Sequence, residues 1–172
     1  MSDLVLTLIG PDHPGIVEAI ADPIARQGGS WLESRMAHLA GKFAGILRIE
    51  VAPEREGALV EALRALEATG LRLTIEAGPA AATAAARTFV LDLVGLDRPG
   101  IVREISRALV EHGVNIEELV TDRTTAPMSG ELLFRSHARV SLPAGTDPER
   151  LRRRLERLAG DLMVQVSLAA PE

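Results

Sequence analysis

Along the first residues of the chain, apolar positions alternate: Leu4, Leu6 and Leu8 fall on one side, Val5, Thr7 and Ile9 on the other. A period of two predicts a strand, here one with apolar residues buried on both faces, and Gly10-Pro11 ends it. The spacing then changes to Ile16, Val17, Ile20, Ile24 and Ala25, one stripe of a helix, with Gly28-Gly29 as its stop. Pro23 interrupts that stripe. Because proline lacks a donor and crowds the preceding turn, a kink or an early break is expected there. Ser30 to Leu39 and Lys42 to Val51 return to strand spacing around Ala40-Gly41-Lys42, a hairpin. Leu59, Leu63 and Leu66 then mark a second helix closed by Gly70, and Leu71, Leu73 and Ile75 a last strand. The order is β-α-β-β-α-β, the split βαβ or ferredoxin-like arrangement of an α+β fold.

The whole pattern is then written again. Leu4 to Gly28 reappears 85 residues later as Phe89 to Gly113, with eleven identities in 25 positions, and the identities include the Gly and Asp-x-Pro-Gly-Ile-Val that join strand to helix. A duplicated unit of this kind predicts two small α+β domains in tandem, over residues 1–78 and 88–172, joined by an Ala-rich linker over 79–87. In the second helix the offset has grown to 92, as Leu59 corresponds to Leu151. Most of the extra residues fall in Thr121 to Gly130, which reads as an enlarged hairpin loop. Loops added to a rigid scaffold are common carriers of function.

Composition narrows the classes. Hydrophobic residues make up 47% and charged residues 25%, enough apolar material for a core in each unit. The net charge of −5 argues against broad binding to nucleic acid or anionic membranes. Cysteine is absent, which removes disulfides, thiolate nucleophiles and the usual structural zinc ligands. The start has an acid where a signal peptide needs bases, and no apolar run approaches the ~20 residues of a membrane span. A cytoplasmic location is expected.

Asp12-His13-Pro14-Gly15 and Asp97-Arg98-Pro99-Gly100 sit where the first strand of each copy becomes a helix. One reading is helix initiation, with Asp as the capping acceptor and Pro near the first helical position. The other is a receptor: N–H groups at the helix start take a carboxylate, while the Asp or a loop carbonyl takes an ammonium group. Ser30 and Asn115 hold matching places two residues past Gly28 and Gly113, where such residues commonly bond their own backbone.

The element order, the G-x-D-x-P-G-I-V loop and the Ser or Asn after the first helix resemble the ACT domain, a small ligand-sensing module of amino-acid metabolism. Two such domains, with Ala126-Pro127-Met128-Ser129-Gly130 and Leu133-Phe134 in the second hairpin, resemble the glycine cleavage system transcriptional repressor family. The resemblance implies that ligands bind where the loop of one domain faces the second strand of its partner. It nominates Gly10, Asp12, His13, Gly15 and Ile16 with Asn115 and Ile116. It also nominates Gly95, Asp97, Arg98, Gly100 and Ile101 with Ser30 and Trp31. Ser30 stands where Asn is usual and Trp31 is bulky, two departures from the family pattern.

Catalysis finds little support, since the four histidines show no metal-ligand spacing and no phosphate-cradling Gly-rich motif is present. Arg150, Arg152, Arg153, Arg154 and Arg157 crowd the last helix, as its wet face or as a docking surface for an acidic partner. The expectation is a non-enzymatic regulator without cofactor or metal. It senses a small amino acid such as glycine or serine and acts on a protein partner, for example a transcription regulator. Direct nucleic-acid binding and membrane association are not expected; a homodimer is. The alternatives are an interaction module with vestigial ligand sites, or the detached regulatory subunit of an amino-acid-metabolic enzyme.

Overall fold

The computed structural model describes residues 1–78 and 86–171 and divides into two compact units, Met1–Ala82 and Thr83–Glu172. Most of the linker expected over 79–87 lies outside the described residues, and Arg87 already belongs to a strand.

In the first unit, β1 (Ser2–Pro11), α1 (Ile16–Arg26), β2 (Ser30–Leu39), β3 (Lys42–Val51), α2 (Pro53–Arg64) and β4 (Arg72–Ala77) follow in order, with a 3-10 turn over Ala65–Thr69 after α2. The strands form one antiparallel sheet in the order β2-β3-β1-β4. Leu4, Leu6 and Leu8 of β1 and Leu47, Ile49 and Val51 of β3 meet Ile16, Ile20 and Ile24 of α1 and Leu59 and Leu63 of α2 in one buried cluster. Both helices therefore cover the same sheet face. The second face stays open: Thr7 is exposed and Ile9 is 38% exposed, so β1 is buried on one face and not on both. A single helical layer can cover only one side of an antiparallel sheet.

Helix α1 runs three residues past Pro23 without the early break that proline predicted. Pro23 lies in the final turn, where one lost donor leaves little helix to disrupt.

The second unit repeats the plan with β5 (Arg87–Leu96), α3 (Ile101–Val110), β6 (Asn115–Thr125), β7 (Leu132–Leu142), α4 (Pro148–Leu162) and β8 (Val164–Ala169), in the sheet order β6-β7-β5-β8. Leu151 and Leu155 are fully buried, as are Leu59 and Leu63 in α2, which fixes the two helices in the 92-residue register. The hairpin insertion is narrower than Thr121 to Gly130. Strand β6 pairs with β7 through Thr125, and the turn is confined to residues 126–131. There Ala126 N–H donates to Glu131 O and Gly130 N–H to Ala126 O.

Candidate functional site

Each strand-to-helix loop ends on a glycine that the backbone demands. Gly15 and Gly100 are the N-cap residues of α1 and α3, at φ of 92° and 91°, in the left-handed region where a side chain is strained. Neither helix start receives a side-chain cap. Of the two readings of these loops, the one in which Asp12 and Asp97 cap the helices does not hold, because the glycine three residues on takes the N-cap position. The first-turn N–H groups remain uncapped by side chains and carry the positive end of the helix dipole.

The two aspartates turn instead toward their own hairpins. Asp12 N–H donates to Gly41 O at 3.0 Å, and its Oδ2 lies 3.6 Å from His38 Nε2. In the second unit Asp97 N–H donates to Leu132 O at 2.8 Å, and Arg123 Nη1 donates to Asp97 Oδ2 at 3.2 Å. His38 and Arg123 are separated by the same 85 residues as the loops. Sequence reading missed both partners, although a side chain able to carry positive charge at matching positions was the available signal.

Other nominated residues have structural work of their own. A Cβ on Gly10 would lie 2.7 Å from Leu71 Cδ2, and one on Gly95 would lie 2.3 Å from Val164 Cγ1. Both glycines let a neighbouring segment approach the end of the first strand. Ile16 and Ile101 are each 3% exposed and belong to the cores of their units, so only their backbones are available to a ligand. His13 is exposed, with Nδ1 3.0 Å from Pro14 O, and Arg98 is half-buried.

Ser30 and Asn115 begin β2 and β6, and both are exposed. Each is followed by the same irregularity, a register shift between Trp31 and Glu33 and between Ile116 and Glu118. Such a bulge re-aims the residues beside it. Trp31 is half-buried and packs against the core of its own unit. In the second unit Ile101 and Ile116 line one narrow cleft with Leu119, Thr121 and Phe134, about 20 Å³ between α3 and the sheet. The structure thus brings one loop residue and one strand-start residue together within a single unit.

Among the described residues no group of three or more His, Asp or Glu side chains is placed to hold a metal ion. No helix there is long and apolar enough to cross a membrane.

Comparison with known proteins agrees with this architecture. Models of the ACT domain match residues 2–77 and 89–160. The glycine cleavage system transcriptional repressor of Escherichia coli (strain K12) is 27% identical over 172 residues, an alignment covering 96% of this chain and 88% of that protein. A solved structure of a protein from Galdieria sulphuraria, described only as an unknown protein, superposes with a TM-score of 0.83 at 27% identity, over 99% of both chains. A second, provisionally described as a glycine cleavage system transcriptional repressor, has a TM-score of 0.75 at 19% identity. It covers 99% of this chain and 98% of its own, and shows the shared fold.

Proposed function

The chain belongs to the ACT domain family, and on that premise we propose that it is a non-enzymatic regulator that senses a small amino acid and acts through a protein partner. The reading is carried by one observation: in both units the Asp-x-Pro-Gly loop delivers a helix start without a side-chain cap. Such N–H groups suit the carboxylate of an amino acid. Similarity to a transcriptional repressor over 96% of the chain supports the regulatory role and favours a transcription regulator as the partner.

In this reading glycine or serine is the effector, the protein is cytoplasmic and homodimeric, and it touches neither nucleic acid nor membrane. The first loop, Gly10 to Ile16, works with Asn115 and Ile116; the second, Gly95 to Ile101, works with Ser30 and Trp31. Since Asp97 already has Arg123 as a partner and Asp12 has His38 nearby, an ammonium group would be received by a loop carbonyl or by competition with those side chains.

The same two pairings favour a second reading, an interaction module whose ligand sites are vestigial, because a satisfied carboxylate has less to offer a ligand. Calorimetric titration of the full chain with glycine and serine separates them. Saturable heat supports the sensor, and none at millimolar amino acid supports the interaction module.

A further inference from the structure

The second unit differs from the first most in its last helix. In the register fixed by Leu59 and Leu151 and by Leu63 and Leu155, the positions Ala58, Ala62 and Ala65 of the first unit become Arg150, Arg154 and Arg157. Three alanines have become three arginines on one side of α4, since a spacing of i, i+4, i+7 keeps residues within one helical stripe. A wet helix face would be served by any mixture of polar residues. In a chain with net charge −5, three guanidiniums in one stripe are a specific concentration of positive charge.

The stripe lines a concave surface and not a convex one. Arg150, Arg154 and Arg157 form one wall of a groove of about 540 Å³. The end of α3, at Glu111 and His112, and the loop at Thr146 and Asp147 form the others. The loop is held from the sheet, where Arg87 Nη2 donates to Thr146 O at 2.8 Å.

Two acids face the groove, and both are engaged. Asp147 caps α4 by accepting from Glu149 N–H at 3.0 Å. Glu111 accepts from Arg154 Nε at 3.3 Å, which leaves the two Nη groups of Arg154 free to meet a ligand. Among the described residues Arg150 and Arg157 make no ion pair. His112 Nδ1 lies 3.0 Å from Ala108 O, so Nε2 is its remaining polar atom.

We propose that this groove binds an oligophosphate, a ligand with two or more linked phosphate groups, through Arg150, Arg154 and Arg157. The guanidinium fork matches phosphate oxygens in pairs. Successive arginines are rooted about 6 and 10 Å along the helix axis from Arg150, so a single charge would leave most of the set unused. The lining is Gly145 and polar or charged side chains, with no Leu, Ile, Val, Met, Phe or Trp among them, so the ligand is recognised by charge and not by an apolar body. The phosphate could be free pyrophosphate or the tail of a nucleoside diphosphate.

Calorimetry on the full chain at low salt, with inorganic pyrophosphate as the probe, tests the assignment. Binding is expected, and the double variant Arg150→Ala/Arg157→Ala should weaken it about tenfold or more, in line with the loss of hydrogen bonds to a charged group. That variant restores the residues of the first unit and should keep its fold, as thermal melting will report. Arg153→Ala removes one charge from the same helix outside the groove, and pyrophosphate affinity should stay within about twofold. ADP binding within a few-fold of pyrophosphate would mean that phosphate alone is read, and much tighter binding that the nucleoside contributes. The proposal is overturned if pyrophosphate gives no heat at millimolar concentration, if citrate binds as tightly, or if Arg153→Ala weakens binding as much as the double variant.

Discussion

Asp97 and Arg123 join the loop before α3 to the far end of the neighbouring hairpin, Nη1 to Oδ2 at 3.2 Å, while the Asp97 backbone N–H holds Leu132 O on the same hairpin. The side-chain pair is largely solvated on the arginine side and worth at most about 1 kcal/mol. Arg123→Ala should therefore leave the melting temperature nearly unchanged, because the backbone bond remains. It also removes the cation that competes for Asp97. Affinity for a small amino acid at this loop should rise, by no more than about fivefold. Weaker binding in the variant, measured by calorimetry, would mean that Arg123 itself contacts the ligand.

The close approach at Gly95 should be the less forgiving of the two matched glycines. An alanine Cβ there would meet Val164 Cα at 2.8 Å as well as the side chain, whereas at Gly10 the nearest atom is the flexible end of Leu71. Gly95→Ala should destabilise by about 1–3 kcal/mol, as overpacking does, and Gly10→Ala by less. Chemical denaturation of the two variants decides it, and equal losses would sink the argument from backbone contact.

Acid should release one specific pair. Arg48 donates from Nε and Nη2 to Asp3, and this hydrogen bonding holds the Asp3 carboxyl below its ordinary value. A carboxylate whose folded pKa is depressed contributes stability that is present above the unfolded pKa and is lost as pH falls through the folded one. The contribution should thus be intact at neutral pH and fade below about pH 4, the ordinary aspartate range. Asp3→Asn should lower stability at pH 7, and the difference from the parent should shrink as the pH is taken below 3. A difference independent of pH would show that packing, not ionisation, is responsible.

The open sheet faces bear on assembly. Ile46 is 53% exposed in the first unit and Val120 is 57% exposed in the second, each on the face away from its helices. Covering such positions favours association, and an isologous homodimer is expected. Light scattering at tens of micromolar should give twice the chain mass, and a monomer mass would contradict this.

Much of the fold was legible because it was written twice. The alternation at Leu4, Leu6 and Leu8 and the stripe Ile16, Ile20, Ile24 placed β1 and α1, and their recurrence from Phe89 placed β5 and α3. Burial was less legible: Val5, Thr7 and Ile9 look as strand-like as their neighbours, and only the single helical layer shows that their face is open. Capping by the aspartates stayed open in the sequence because Gly15 and Gly100 reach the N-cap position through a positive φ that composition does not reveal. Their partners His38 and Arg123 were visible in the repeat only to a reader who aligned the hairpins. The alanine-to-arginine exchange on α4 needed the 92-residue register, and the groove needed the fold to bring Glu111, His112 and the loop at Thr146 beside it.

The sensor account stands most directly on calorimetric titration of the parent, Asn115→Ala and Ser30→Ala with glycine and serine. The account predicts saturable binding to the parent and a few-fold to about hundredfold loss in Asn115→Ala, the range for a lost hydrogen bond to a neutral or charged group. Asn offers both a donor and an acceptor, so Ser30→Ala should matter less. Unchanged melting should accompany the loss, since Asn115 is exposed at the start of β6. Parent-like binding in both variants, no binding to the parent, or unfolding of Asn115→Ala would contradict it.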